Sequence, residues 1–233
     1  MTDTVEPQLQ YSLVIVQQPK RAKAYEINNR ERRPIDPCPI LQLQVNNPDG
    51  TENTNLHWSG EFVVHALLFD ESGTREISYV SDNFNFADAS SHTIMDEGHN
   101  TMLVGLTVSS VYYLRDLEDI CRCFFYFSDI QVRQPGRFRL RFGLLRLNTE
   151  DMNPIESKPV LKYVFSDPFT VYTSKDFPGV DESTALSKKL NQQGLGIPIR
   201  NKGRLKRDDD EDGEGDVCGV GSSCGGNNDY QWS

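Results

Sequence analysis

The sequence predicts a large all-β sandwich with one short helix near its C-terminal end and a polar tail. Three observations predict it. Between Gly136 and Leu147, Phe138, Leu140, Phe142 and Leu144 alternate with Arg137, Arg139 and Arg141. A period of two puts one set on the core side of a strand and the other in a row on the opposite face. Elsewhere, short runs rich in β-formers recur between clusters of turn residues. Asp181 to Gln193 is the best candidate for a helix. A length of 233 residues, 37% hydrophobic and 10% aromatic, suffices for one such domain with a real core.

Tyr11 to Val16 is the first strand, and Pro19 ends it. Pro34, Pro37 and Pro39 hold the next segment extended, either to stiffen it for a ligand or to block edge pairing. Leu41, Leu43 and Val45 alternate with Gln42 and Gln44, a half-buried strand closed by the turn cluster Asn46-Asn47-Pro48-Asp49-Gly50. Glu61 to Phe69 is a further strand. Residues 70–100 are polar, with a short strand expected near Ile77 to Val80. Met102 to Ser110 and Cys123 to Phe127 read as strands. Val160 to Val164 and Phe169 to Tyr172 read as strands flanking a break at Ser166-Asp167-Pro168. In the helix, Asp181 or Ser183 suits the N-cap, Leu186 and Leu190 lie one turn apart, and Gly194 suits the first position past the end. Its apolar stripe suits packing on the sandwich better than capture of a partner. Residues 1–8 read as a flexible N-terminus, 9–200 as the folded domain and 201–233 as a disordered tail.

Charge is unevenly placed. The chain carries a net charge of −10, yet Lys20, Arg21, Lys23, Arg30, Arg32 and Arg33 gather on one loop whose only acids are Glu26 and Glu31. Focused positive potential of this kind suits a polyanion; a merely solvated loop is the plainer reading. The arginine row of residues 137–141 has the same two readings, with cross-strand acids as the structural one. Arg200, Lys202, Arg204, Lys206 and Arg207 form a second cluster, suited to nuclear import or to pairing with the acidic run Asp208 to Asp216 that follows. That acidic run is expected to compete for the basic loop.

These stretches also carry a resemblance. Gln17-Gln18-Pro19-Lys20-Arg21-Ala22-Lys23-Ala24-Tyr25, then Arg30-Glu31-Arg32-Arg33-Pro34-Ile35-Asp36-Pro37-Cys38-Pro39-Ile40, resemble the opening signature of the velvet family of fungal regulators. Leu103 to Ser110, Phe124 to Ile130, Gly136 to Leu140, Phe177-Pro178-Gly179 and Glu182 to Ser187 follow in the family's order, so the likeness spans about residues 9–200. It implies an immunoglobulin-like sandwich related to Rel-homology domains, dimerisation with itself or another velvet protein, and nuclear action with an allowance for a cytoplasmic pool. It also implies double-stranded DNA as ligand, a link to a methyltransferase-like regulator through a velvet complex, and roles in development, sporulation and secondary metabolism. The family's DNA contact falls on Arg30, Arg32 and Arg33 here, with Lys20, Arg21 and Lys23 beside them. The short tail and the 103–147 pattern are closest to the spore-viability type. Two departures stand out: Tyr25 to Asn29 replaces a stretch that is commonly small and glycine-containing, and Cys38 stands where proline is usual. Cys38 raises the question of redox sensitivity against inert replacement.

Enzyme chemistry finds no footing. There is no phosphate-cradling glycine loop, no nucleophile elbow and no H-E-x-x-H. His92, Asp96 and His99 lack tight metal-ligand spacing, and Cys121-Arg122-Cys123 is not C-x-x-C. Asp116, Glu118 and Asp119 read as loop acids. No cofactor or metal is expected, nor a membrane partner, since no run reaches the ~18 apolar residues of a span. Five cysteines at unpatterned positions suit a reducing compartment. The rival to a DNA-binding regulator is a dimerisation or interaction subunit of a velvet complex that does not bind DNA itself.

Overall fold

Two β-sheets pack face to face around a single apolar layer in the computed structural model, which describes residues 9–25, 33–53, 62–77, 101–147 and 159–201. All of these lie in a unit running from Met1 to Lys202. The short strand expected near Ile77 falls mostly outside the described residues, as do His92, Asp96, His99 and the tail beyond residue 201.

Along the chain, β1 (Gln10–Gln17), β2 (Arg21–Lys23), β3 (Ile40–Asn46) and β4 (Phe62–Asp70) come first. Then follow β5 (Leu103–Val104), β6 (Val108–Ser110), β7 (Tyr112–Arg115), β8 (Cys121–Tyr126) and β9 (Gln131–Val132). Last come β10 (Gly136–Arg146), β11 (Lys162–Phe165), β12 (Phe169–Tyr172) and the helix α1 (Ala185–Gln192). The first sheet has the order β1-β3-β8-β7; the second has β2-β12-β10-β4-β6, with β11 also on β10; β5 and β9 form a separate pair.

Alternation dictates the core. Leu41, Leu43 and Val45 of β3 and Phe125 of β8 face Val64, Ala66 and Leu68 of β4 and Leu140, Phe142 and Leu144 of β10, all buried. Burial of side chains this size stabilises by roughly 1.5–3 kcal/mol each before entropy is counted.

Two strands change sheets. The chain leaves the first sheet after β1 and joins the second as β2, across Gln18-Pro19-Lys20, where proline removes a ladder donor. It passes from β6 in the second sheet to β7 in the first at Val111. Buried Ser109 stitches that crossing, its hydroxyl accepting from the Tyr126 amide at 3.1 Å. The run read as one strand from Met102 to Ser110 is two, broken at Gly105. That residue has φ +102°, and a β-carbon there would collide with the Asp129 carbonyl. The Ser166-Asp167-Pro168 break is as expected. It sets β11 and β12 in succession along one edge of β10, with the Ser166 hydroxyl accepting from the Leu140 amide at 2.9 Å.

The N-cap of α1 is Thr184, not the expected Asp181 or Ser183. The Thr184 hydroxyl accepts from the Ser187 amide, while Ser183 is turned to the Arg200 amide. Gly194 closes the helix as expected. Its amide bonds Asn191 O, and the Leu195 amide bonds Leu190 O, the paired bonds of a Schellman end with Leu190 and Leu195 packed together. Leu190, Leu195 and Ile197 cover Ile40 and Phe124 on the outer face of the first sheet. Leu186 packs at the margin of the same cluster.

Candidate nucleic-acid interface

The basic loop hangs from stems that are stapled on both sides. β2 runs parallel to β12, pairing Arg21 with Thr170 and Lys23 with Tyr172. Ala22 and Ala24 are buried, so alternation turns Arg21, Lys23 and Tyr25 outward. The outgoing stem is held by Ala24 N–H to Tyr172 O and Tyr25 N–H to Val132 O, both 2.8 Å. The returning stem is held by Ile35 N–H to Ile130 O at 2.9 Å. Across the base, Arg21 and Asp36 exchange both backbone bonds, at 3.0 and 2.8 Å, and the Lys20 amide adds a third at 3.2 Å.

The six loop cations are not equivalent. Lys20 is exposed; Lys23 and Arg33 are half-buried; Arg30 and Arg32 lie outside the described residues. Arg21 is engaged at the surface, its Nη2 donating to Asp181 Oδ2 at 2.8 Å. Sequence reasoning missed one further cation at this end. Arg133 donates through Nε to Thr101 O at 2.7 Å and lays its guanidinium 5.4 Å from the centre of the Tyr25 ring. An arginine just past β9 is visible in the sequence, but its aromatic partner lies far away in the chain and only the fold joins them. Arg200 also stands apart from the import cluster with which the sequence groups it. Its Nη1 donates to the buried Asp36 carboxylate at 2.6 Å, so that charge is engaged inside the fold. Lys202, Arg204, Lys206 and Arg207 lie outside the described residues.

The velvet factor family model matches residues 11–101 and 87–203, nearly the whole described unit. The chain belongs to the velvet family. Among curated relatives, the sexual development regulator umv3 of Mycosarcoma maydis is 37% identical over 201 residues, covering 85% of this chain and 47% of the relative. The spore development regulator vosA of Beauveria bassiana is 35% identical over 218 residues, covering 90% and 75%. The sexual development regulator velC of Gibberella moniliformis is 35% identical over 214 residues, covering 88% and 44%. The chain thus spans about half the length of two of these relatives and three quarters of the third. All three names are those of developmental regulators, and spore and sexual types match alike.

The other polar groups of this velvet domain have structural work. The Gln17 side chain donates to Cys38 O at 2.7 Å and lies 3.7 Å from its sulfur. Burial pushes the Cys38 thiol up to about 12, against a partly opposing hydrogen bond with Ser187. At neutral pH it stays protonated and shielded, which favours the inert reading over redox sensing. Asp116 Oδ1 accepts from the Glu118 and Ile120 amides, closing the turn that the acids 116–119 form. Asp119, at φ 61°, receives Lys189 of α1 at 2.6 Å, and that bond holds its carboxyl below the usual range. Cys121 and Cys123, two apart on β8, share one face beside Tyr113. Among the described residues, no three His, Cys, Asp or Glu side chains gather as metal ligands, and no helix is long and apolar enough to cross a membrane.

Proposed function

We propose that this velvet chain is a regulator of fungal development that binds double-stranded DNA through the loop between β2 and Pro34, as a dimer with itself or another velvet protein. The observation that carries the reading is the stapled loop. Its base is closed by the Arg21–Asp36 bridge and its stems are bonded to β9, β12 and the Ile130 carbonyl. A basic segment held this way loses less entropy on meeting a phosphate backbone than a free one. Arg30, Arg32 and Arg33, with Lys20 and Lys23, neutralise phosphates; an arginine that reaches a base edge prefers guanine by roughly 1–3 kcal/mol. The acidic remainder of the surface keeps binding local to this end. Lys202, Arg204, Lys206 and Arg207 serve nuclear import, and contact with a methyltransferase-like regulator runs through the assembled velvet complex.

A second reading has its own support. Arg21 is turned to Asp181, and Glu26 and Glu31 sit within the loop. On that reading the chain is a dimerisation subunit and its partner supplies the DNA contacts. Titration of purified protein against duplex DNA at several salt concentrations separates the two, comparing wild type with Arg30→Ala/Arg32→Ala/Arg33→Ala, alone and mixed with a velvet partner. DNA binding by this loop requires that the triple variant lose affinity and part of the salt slope. Binding only by the mixture, untouched by the three substitutions, assigns the chain to the dimerisation role.

A further inference from the structure

The buried carboxylate of Asp36 joins the basic loop to the C-terminal segment. Asp36 is 5% exposed, and its backbone closes the loop base on Lys20 and Arg21. Its side chain reaches the opposite way. Oδ1 accepts from Arg200 Nη1 at 2.6 Å and Oδ2 from the Asp181 amide at 2.9 Å. The Asp181 carboxylate then returns to Arg21 Nη2 at 2.8 Å, which completes a ring of contacts. Arg200 and Ser183 are tied to each other by two bonds, Arg200 N–H to Ser183 Oγ at 2.9 Å and Ser183 N–H to Arg200 O at 3.0 Å. Between these points the segment is anchored by Leu190, Leu195 and Ile197 against the outer face of the first sheet.

We propose that residues 181–200 form a strap that keeps the base of the basic loop closed, with Asp36 and Arg200 as positioning residues that do not touch DNA. The proposal rests on the DNA-binding reading and deepens it. Its physical basis is charge compensation in a buried place. Asp36 has one cationic partner in the strap, and removing that cation leaves a buried charge unmatched, whereas neutralising both partners does not. The carboxylate would then seek water and loosen the three backbone bonds that close the loop. An untethered loop loses more entropy on binding.

The test uses the full chain and two readouts: duplex DNA titration across salt, and hydrogen exchange at the amides of Arg21, Ile35 and Asp36. Arg200→Gln is expected to weaken DNA binding about tenfold with the salt slope unchanged, and to speed exchange at those amides about tenfold while β4 and β10 stay protected. Arg200→Lys is expected to restore both, and Asp36→Asn/Arg200→Gln to recover most of the exchange protection. In the Arg30→Ala/Arg32→Ala/Arg33→Ala background, Arg200→Gln is expected to cost nothing further, because it acts through those residues. Should Arg200→Gln fail to fold, the doubly neutralised variant decides: it is expected to fold with loop exchange close to that of wild type, and its failure to fold, or loop exchange about tenfold or more faster than in wild type, overturns the strap. Unchanged exchange in folded Arg200→Gln also overturns it. So does a DNA loss that persists in the triple background with a lower slope, which would make Arg200 a phosphate contact. If wild type shows no duplex binding at any salt, the DNA reading fails, and the exchange arm alone decides whether the strap exists.

Discussion

Two groups of cations in this domain look alike in the sequence and differ in the fold. On β10, Arg137 meets Glu71 at 3.0 Å, and Arg139 donates to the carbonyls of Glu71 and Ser166, both at 2.8 Å. Arg141 lies between the rings of Phe69 and Tyr163, 4.4 and 4.8 Å from their centres, with Glu76 at 3.8 Å. That row is part of the outer surface of the second sheet, with its charges matched by neighbouring strands and turns. In the loop, Lys20 projects into solvent, while Arg21 pairs at the surface with Asp181. A regular spacing of arginines therefore says where they point, while availability for a polyanion depends on what the adjacent strands and loops carry.

The largest effect expected from that contrast is on DNA. Arg30→Ala/Arg32→Ala/Arg33→Ala should lower duplex affinity on the order of a hundredfold near ~0.1 M salt, with a slope smaller by about two to three. Arg137→Ala/Arg139→Ala should leave affinity within about threefold; a loss as large as that of the loop variant would make β10 the DNA surface. The next effect is on stability. Arg141→Ala removes a guanidinium stacked on two rings and the packing of its stem, and should cost about 1–2 kcal/mol in denaturant unfolding. Arg137→Ala breaks a pair whose side chains are 55% and 53% exposed, and should stay within about 0.5 kcal/mol. Similar costs for the two would show that stacking adds nothing to this row.

The smallest effect is a pH dependence at the same face. His65 of β4 titrates below its ordinary value of 6.5, because partial burial disfavours the charged ring and Arg141 adds to this, against Glu76. The unfolded chain therefore takes up the proton first as pH falls. Stability from this group is present above the unfolded value, declines as pH drops through about 6.5, and levels off below the folded value. Thermal melts at about pH 7.5 and 5.5 should show a small drop that His65→Gln flattens. An equal drop in the variant would assign the dependence to other groups.

Much of this fold was legible from local pattern. The β10 alternation, the glutamine-faced β3, the apolar β4 and the broken pair around Ser166 could all be read because a half-buried strand stamps its period on the sequence. The short strands β2, β7 and β9 were not legible. Two to four residues carry no periodicity, and each exists because a neighbouring strand supplies its hydrogen bonds. The Met102 to Ser110 run was misread as continuous because the close approach of the Asp129 backbone to Gly105 leaves no mark on its neighbours. At the candidate site, the concentration of Lys20, Arg21, Lys23, Arg30, Arg32 and Arg33 was plain, whereas the pairing of Arg21 with Asp181 and the stacking of Arg133 on Tyr25 were not.

The sequence by itself determined the all-β character, the helix near residue 190, the place of the basic loop and the family. These depend on residue type and short-range spacing, which a single chain displays in full. Tertiary structure alone decided the pairing of Arg200 with Asp36, the return of Asp181 to Arg21, the closure of the loop base and the shielding of Cys38. Those are contacts between segments distant in the chain. A charge or a thiol takes its character from the solvent and partners around it, and these are set only when the two sheets and the C-terminal segment come together.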